Sequence, residues 1–219
     1  MNSLQDKMFK ELNDKQFFEQ TQRYAQNYLD SAFERNVSPT KEALENLSHF
    51  DEVMPEQPSE AKDVIELLNT FGAPATSTTI GGRYFGFVTG SVVPAGLAAK
   101  HLATYWDQNS GLNVISPIAS KLESTVEIWL RDLFNLPKNV VAGFVSGTSM
   151  ANFCGLAAGR FRLLERMGWN VNTKGLFNAP QIRVVTGRHA HSTILKTVSL
   201  LGFGVENIEW VDVDNQGRM

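Results

Sequence analysis

Two short runs in the chain combine residue types that could hold a small charged molecule. The first, Val145-Ser146-Gly147-Thr148-Ser149, places a glycine and three hydroxyls where an apolar run beginning at Val140 gives way to a helical pattern. A strand that breaks directly into a helix aims the free N–H groups and the positive end of that helix at one point, which favours an anion such as a phosphate. Gly147 would let the backbone approach the anion closely, and Thr148 and Ser149 would add hydroxyl donors. A Ser/Thr cap after a glycine is also how an ordinary helix begins, so the run alone is a weak signal. No lysine follows at P-loop spacing and no GxGxxG is present, which ranks nucleoside triphosphates and dinucleotides below a simpler phosphate.

The second run, Gly187-Arg188-His189-Ala190-His191-Ser192, follows a β-branched stretch and precedes a helical one. Two histidines two residues apart suggest a metal, but no cluster of cysteine or carboxylate at ligand spacing accompanies them, so no metal is expected. An imidazole beside a phosphate pocket suits stacking on a flat ring or passing a proton. A surface histidine capping the next helix is the plainer alternative.

The elements that must carry these runs follow from periodicity. From residue 140 onward the pattern is strand, helix, strand, helix, strand, with strands over Gln181 to Thr186 and Asn207 to Val213 and a helix over His191 to Gly202; this predicts βαβ units and a largely parallel sheet. In open sheets of this kind ligands sit beyond the carboxyl ends of the strands, where both runs fall. Upstream, Pro94 to Trp106 and Pro117 to Phe134 read as helices, the second capped by Ser116, with Leu122, Val126, Trp129, Leu130 and Leu133 expected in the core. Residues 72 to 93 form a long loop rich in glycine and hydroxyls. Its Phe85, Phe87, Val88 and Thr89 are suited to lining a substrate pocket and equally to plugging the loop onto the core.

Residues 1 to about 75 read as three helices without an intervening strand: Asp14 to Arg35, a segment from Ser38-Pro39 through Phe50, and Ser59 to Phe71. They are expected to form an arm added to the α/β body over 76–219. The last strand reading is followed by a turn at Asp214-Asn215-Gln216-Gly217 and then Met219, where a further element would be expected, so the chain reads as cut.

Composition narrows the function classes. With 219 residues, 42% of them hydrophobic, a sizeable core is possible; a net charge of −3 with interspersed signs offers no basic stripe for nucleic acid. Cys154 is the single cysteine, which excludes an internal disulfide and suggests a reducing compartment; it is expected as a buried small hydrophobe. Met1 to Asn13 carries no apolar signal region, and no run approaches membrane-spanning length. A cytoplasmic protein without membrane contact is expected.

Tyr84-Phe85-Gly86-Phe87, Ser116-Pro117 to Leu122-Glu123, Val145 to Asn152 and Ala190-His191-Ser192, in this order and at these separations, resemble the pyridoxal-phosphate-dependent group II amino acid decarboxylases. The likeness runs from about residue 15 to the end. It implies the α/β fold of type I pyridoxal-phosphate enzymes (aspartate aminotransferase-like), here as an N-terminal helical arm plus an incomplete, mainly parallel sheet domain, with the arm clasping the partner of a homodimer. It implies pyridoxal 5'-phosphate as cofactor and an amino acid as substrate. Gly147, Thr148 and Ser149 would grip the phosphate, His191 would stack on the ring and assist protonation, and Phe87, Val88 and Thr89 would face the substrate. Met150 departs from the family, where relatives often carry an acidic residue. In the family the lysine that holds the coenzyme and the aspartate that pairs with its ring nitrogen lie beyond the position of residue 219, so this stretch alone is expected to be inactive. Lys196 is read as a solvated helix lysine. The rival expectations are a non-catalytic assembly or regulatory protein of the same fold and a sugar-phosphate-binding domain.

Overall fold

Short polar side chains cap several of the helices. In the computed structural model, which describes residues 3–219, Ser3 and Asp6 form a reciprocal capping box for α1 (Leu4–Leu12), and Asp14 accepts from the N–H groups of Gln16 and Phe17 to start α2 (Lys15–Ser31). The next helix, α3 (Lys41–Glu45), is capped by Thr40 and not by Ser38, because Thr40 Oγ1 reaches the Ala43 N–H at 3.1 Å. It tightens into a 3₁₀ turn over Asn46–Phe50. Helix α4 (Ala61–Leu67) continues as a π turn over Leu68–Gly72 and then a 3₁₀ turn over Ala73–Ala75 that holds Pro74. Residues 76–93 contain no helix or strand, as the glycine-rich composition predicts, and α5 spans Pro94–Trp106.

The chain divides after Asp107 into two compact units. In the first, the start of the 76–93 loop is stitched to the end of α2. Thr78, 3% exposed, donates its N–H to the Val37 carbonyl and its hydroxyl to the Asn36 carbonyl, both at 2.9 Å, and the Tyr28 hydroxyl lies 2.7 Å from Thr76 Oγ1. Arg35 covers the Tyr28 ring and donates to the Ala73 carbonyl, while Arg83 donates to the Arg35 carbonyl. The two arginines thus add long-range bonds that anchor the loop, Ala73 O also accepting from the Thr76 hydroxyl at 2.8 Å.

The second unit begins with α6 (Pro117–Leu133), followed by α7 (Thr148–Arg166), α8 (Val171–Lys174), β1 (Val184–Gly187), α9 (Ser192–Leu200) and β2 (Ile208–Val211). Strands β1 and β2 pair in parallel, Val184 opposite Ile208 through Gly187 opposite Val211, with α9 as the crossover. Helix α7 packs on α9, and the core between them and the strands holds Leu164, Val198, Leu201 and Ile208, each at most 6% exposed. Burying a side chain of this size contributes about 1.5 to 3 kcal/mol. Helix α9 ends in a Schellman motif: Phe203 N–H bonds the Val198 carbonyl and Gly202 N–H that of Ser199, with Gly202 at φ +76°.

Three expectations are corrected. The apolar run over 140–145 forms no strand: among the described residues the sheet consists of β1 and β2. Leu122, Trp129 and Leu133 are exposed and not core, since the stripe that helical spacing assembles on α6 finds no covering element in its unit. Cys154, on α7, is exposed and not the buried small hydrophobe expected.

Candidate functional site

Helix α7 begins without a side-chain cap. Gly147 occupies the N-cap position, and its carbonyl accepts from both Met150 and Ala151 N–H, at 3.1 and 3.0 Å. The N–H groups and hydroxyls of Thr148 and Ser149 have no acceptor among the described residues, and both residues are exposed. Gly147 has φ 169°, an extended conformation open to any residue, and a Cβ built there would meet nothing within 4 Å. Its contribution is therefore room above the helix end, which a side chain would fill. Four donors at the positive end of a 19-residue helix, beneath open space, fit the phosphate of a coenzyme.

His191 lies beyond the carboxyl end of β1, in the loop that turns through Ala190 N–H to the Gly187 carbonyl at 3.0 Å. It is the N-cap of α9, and its Nδ1 accepts from Thr193 N–H at 3.2 Å. The capping alternative is thus realised, and the ring is exposed as well. His189, also exposed, makes no such bond. Lys196 is exposed on α9, as the solvated reading predicts.

The helix starts of α7 and α9 are joined by a bond between residues 41 positions apart: Asn152 Nδ2 donates to Thr193 Oγ1 at 3.1 Å. Asn152 stands one turn after Thr148, on the same helix face. The bond links the helix that begins at Thr148-Ser149 to the helix that His191 caps, within one unit. Neither Asn152 nor Thr193 is assigned a role from sequence, although Asn152 closes the Val145 to Asn152 run and stands at helical spacing from Thr148.

Phe87, Val88 and Thr89 belong to the first unit. Thr89 N–H and Oγ1 both reach the Gly86 carbonyl at 3.2 Å, closing a turn whose central residues Phe87 and Val88 have φ near +53° and +54°. Such positions ordinarily take Asn or Gly, so a β-branched residue there is strained. Both side chains are fully exposed, which removes the alternative in which they plug the loop onto the core.

The pyridoxal-dependent decarboxylase conserved domain matches residues 44–219. The chain belongs to this family. Solved structures with the same fold include mouse CSAD in apo form (22% identity, TM-score 0.77, 92% of this chain and 43% of that one). The glutamate decarboxylase domain of diaminobutyrate-pyruvate transaminase and L-2,4-diaminobutyrate decarboxylase from Vibrio parahaemolyticus is similar at 21% identity and TM-score 0.78, over 91% of this chain and 45% of that one. Oryza sativa TDC, solved with PLP, matches at 20% identity and TM-score 0.74, over 92% and 44%. The decarboxylase-family chain described here spans less than half the length of these structures, and it shares with them the α/β fold of type I pyridoxal-phosphate enzymes. Among its described residues no helix is long and apolar enough to cross a membrane.

Proposed function

We propose that this chain supplies the phosphate-gripping side of the coenzyme site of a pyridoxal-phosphate-dependent L-amino acid decarboxylase. The observation that carries the reading is the uncapped, donor-rich α7 start, tied through the Asn152 to Thr193 bond to the helix that His191 caps. Thr148 and Ser149 would donate their N–H and O–H groups to the phosphate, and Gly147 would leave the space it occupies. The coenzyme, when bound, supplies the sink for the electron pair left behind as the substrate carboxylate departs. His191 keeps Nδ1 as the cap acceptor of α9, so in the neutral ring the proton resides on Nε2, available to a ligand over the α7 start. The strained, exposed Phe87-Val88 turn supports a substrate-facing role for Phe87, Val88 and Thr89, since strain of this kind concentrates at ligand-binding segments.

The active unit is proposed to be a cytoplasmic homodimer. The apolar face of α1 supports a partner there: Leu4, Met8, Phe9 and Leu12 are all more than half exposed. Analytical ultracentrifugation with and without residues 1 to 75 tests it, and an unchanged oligomeric state would count against it.

Equilibrium binding of pyridoxal phosphate to the 219-residue chain tests the site. Ser149→Ala removes a charge-assisted bond worth about 1 to 3 kcal/mol, so affinity should fall roughly five- to hundredfold. Unchanged affinity would remove the phosphate assignment. This chain alone is expected to bind without turnover, and decarboxylation of an amino acid panel by the full-length protein identifies the substrate.

A further inference from the structure

We propose that Asn152 and Thr193 are positioning residues that fix the protonation pattern and place of His191. The proposal rests on the coenzyme reading above only for what the ring is positioned toward; the hydrogen-bond geometry stands without it.

Three bonds run in one direction. The Thr193 main-chain N–H can only donate, and it points at His191 Nδ1 at 3.2 Å, so Nδ1 must present its lone pair. Thr193 Oγ1 lies 3.0 Å from the same nitrogen. That hydroxyl has one proton to give, and Asn152 Nδ2 already donates to its oxygen at 3.1 Å. The hydroxyl proton is thereby released toward Nδ1, and the chain of donation reads Asn152 to Thr193 to His191. Two donors on Nδ1 leave the neutral imidazole with its proton on Nε2.

The arrangement also sets distance. Asn152 is carried by the same rigid helix as Thr148 and Ser149, and Thr193 lies in the first turn of α9, held there by Thr197 Oγ1 donating to its carbonyl at 2.8 Å. A shift of the α9 start, which carries Thr193 and is capped by His191, relative to the α7 start would break the Asn152 bond. Asn152 suits this task because its amide donates and is uncharged. An aspartate would instead accept the Thr193 proton and draw it away from Nδ1.

Long-range 1H–15N correlation of the histidine side chains in the ligand-free 219-residue chain reads the tautomer directly, with His191 assigned by His191→Gln. The Nε2-protonated form should predominate. Thr193→Val and Asn152→Asp should each lower its ratio to the other tautomer, by about fivefold for the loss of one hydrogen bond, and Thr193→Ser should preserve it. Asn152→Ala, which removes the donor without adding charge, provides the same reading if Asn152→Asp does not fold. A predominant Nδ1-protonated ring, or a ratio unmoved by Asn152→Asp and Asn152→Ala, would overturn the proposal. Adding pyridoxal phosphate separates the two ideas: tautomers that behave as stated while the His191 ring signals stay still on saturation would uphold the hydrogen-bond chain and remove the coenzyme role.

Discussion

Arg183 forks onto Glu209, its Nε 2.5 Å from Oε1 and a terminal nitrogen bonded to Oε2. The pair ties the residue before β1 to the second residue of β2, two positions from Val185, the ladder partner of Glu209. The hydrogen bond from Arg183 holds the Glu209 carboxyl below the ordinary glutamate range, against a smaller opposing effect of desolvation.

That shift fixes a pH dependence. A carboxylate with a lowered folded-state pKa contributes stability that is complete above its unfolded pKa and is lost as pH falls through the lowered value. Thermal unfolding of wild type and Glu209→Gln should therefore differ at neutral pH, with wild type the more stable, and converge in acid. A gap that persists into acid would mean the ion pair is not its source. The effect will be modest because both side chains are solvated. Asp214, lowered by hydrogen bonds from Arg218, adds a dependence of the same sign that Glu209→Gln leaves in place.

Gly202→Ala should destabilise the chain by about 1 to 2 kcal/mol, because φ +76° penalises any L side chain. The new Cβ would also lie 2.7 Å from Leu176 Cδ1. Urea unfolding should show a lower midpoint with an unchanged slope; an unmoved midpoint would mean that the Schellman ending of α9 adjusts freely.

Ser116→Ala carries opposite predictions from sequence and from structure. As a capping serine, its loss would cost about 1 kcal/mol. In the structure Ser116 is fully buried, makes no side-chain cap bond and leaves its hydroxyl without a partner. Removing an unsatisfied buried hydroxyl should leave stability unchanged or raise it by about 1 kcal/mol. Urea unfolding decides, and a clear loss would restore the capping role.

Local chemistry made much of the architecture legible. Proline at the first helical position placed α5 over the exact residues expected and the start of α6 at Pro117; β2 falls within its predicted run, and β1 overlaps its own and ends one residue past Thr186. What periodicity cannot report is company. The run over 140–145 has the composition of a strand but pairs with none, and the α6 stripe that reads as core remains exposed. At the site, the residue types at Thr148, Ser149 and His191 drew notice from sequence, whereas the Asn152 to Thr193 bond joins positions 41 apart through tertiary packing and has no local signature beyond helical spacing.

The pairing of β1 with β2 alone has a consequence for handling the molecule. Parallel ladders ordinarily lie inside a sheet, flanked on both sides, whereas here each strand has one rim of N–H and C=O groups outside the ladder among the described residues. Such rims are templates on which another chain can add a strand. In concentrated solution the protein should therefore lengthen its sheet intermolecularly, so that concentration, more than net charge, sets how long it stays dispersed.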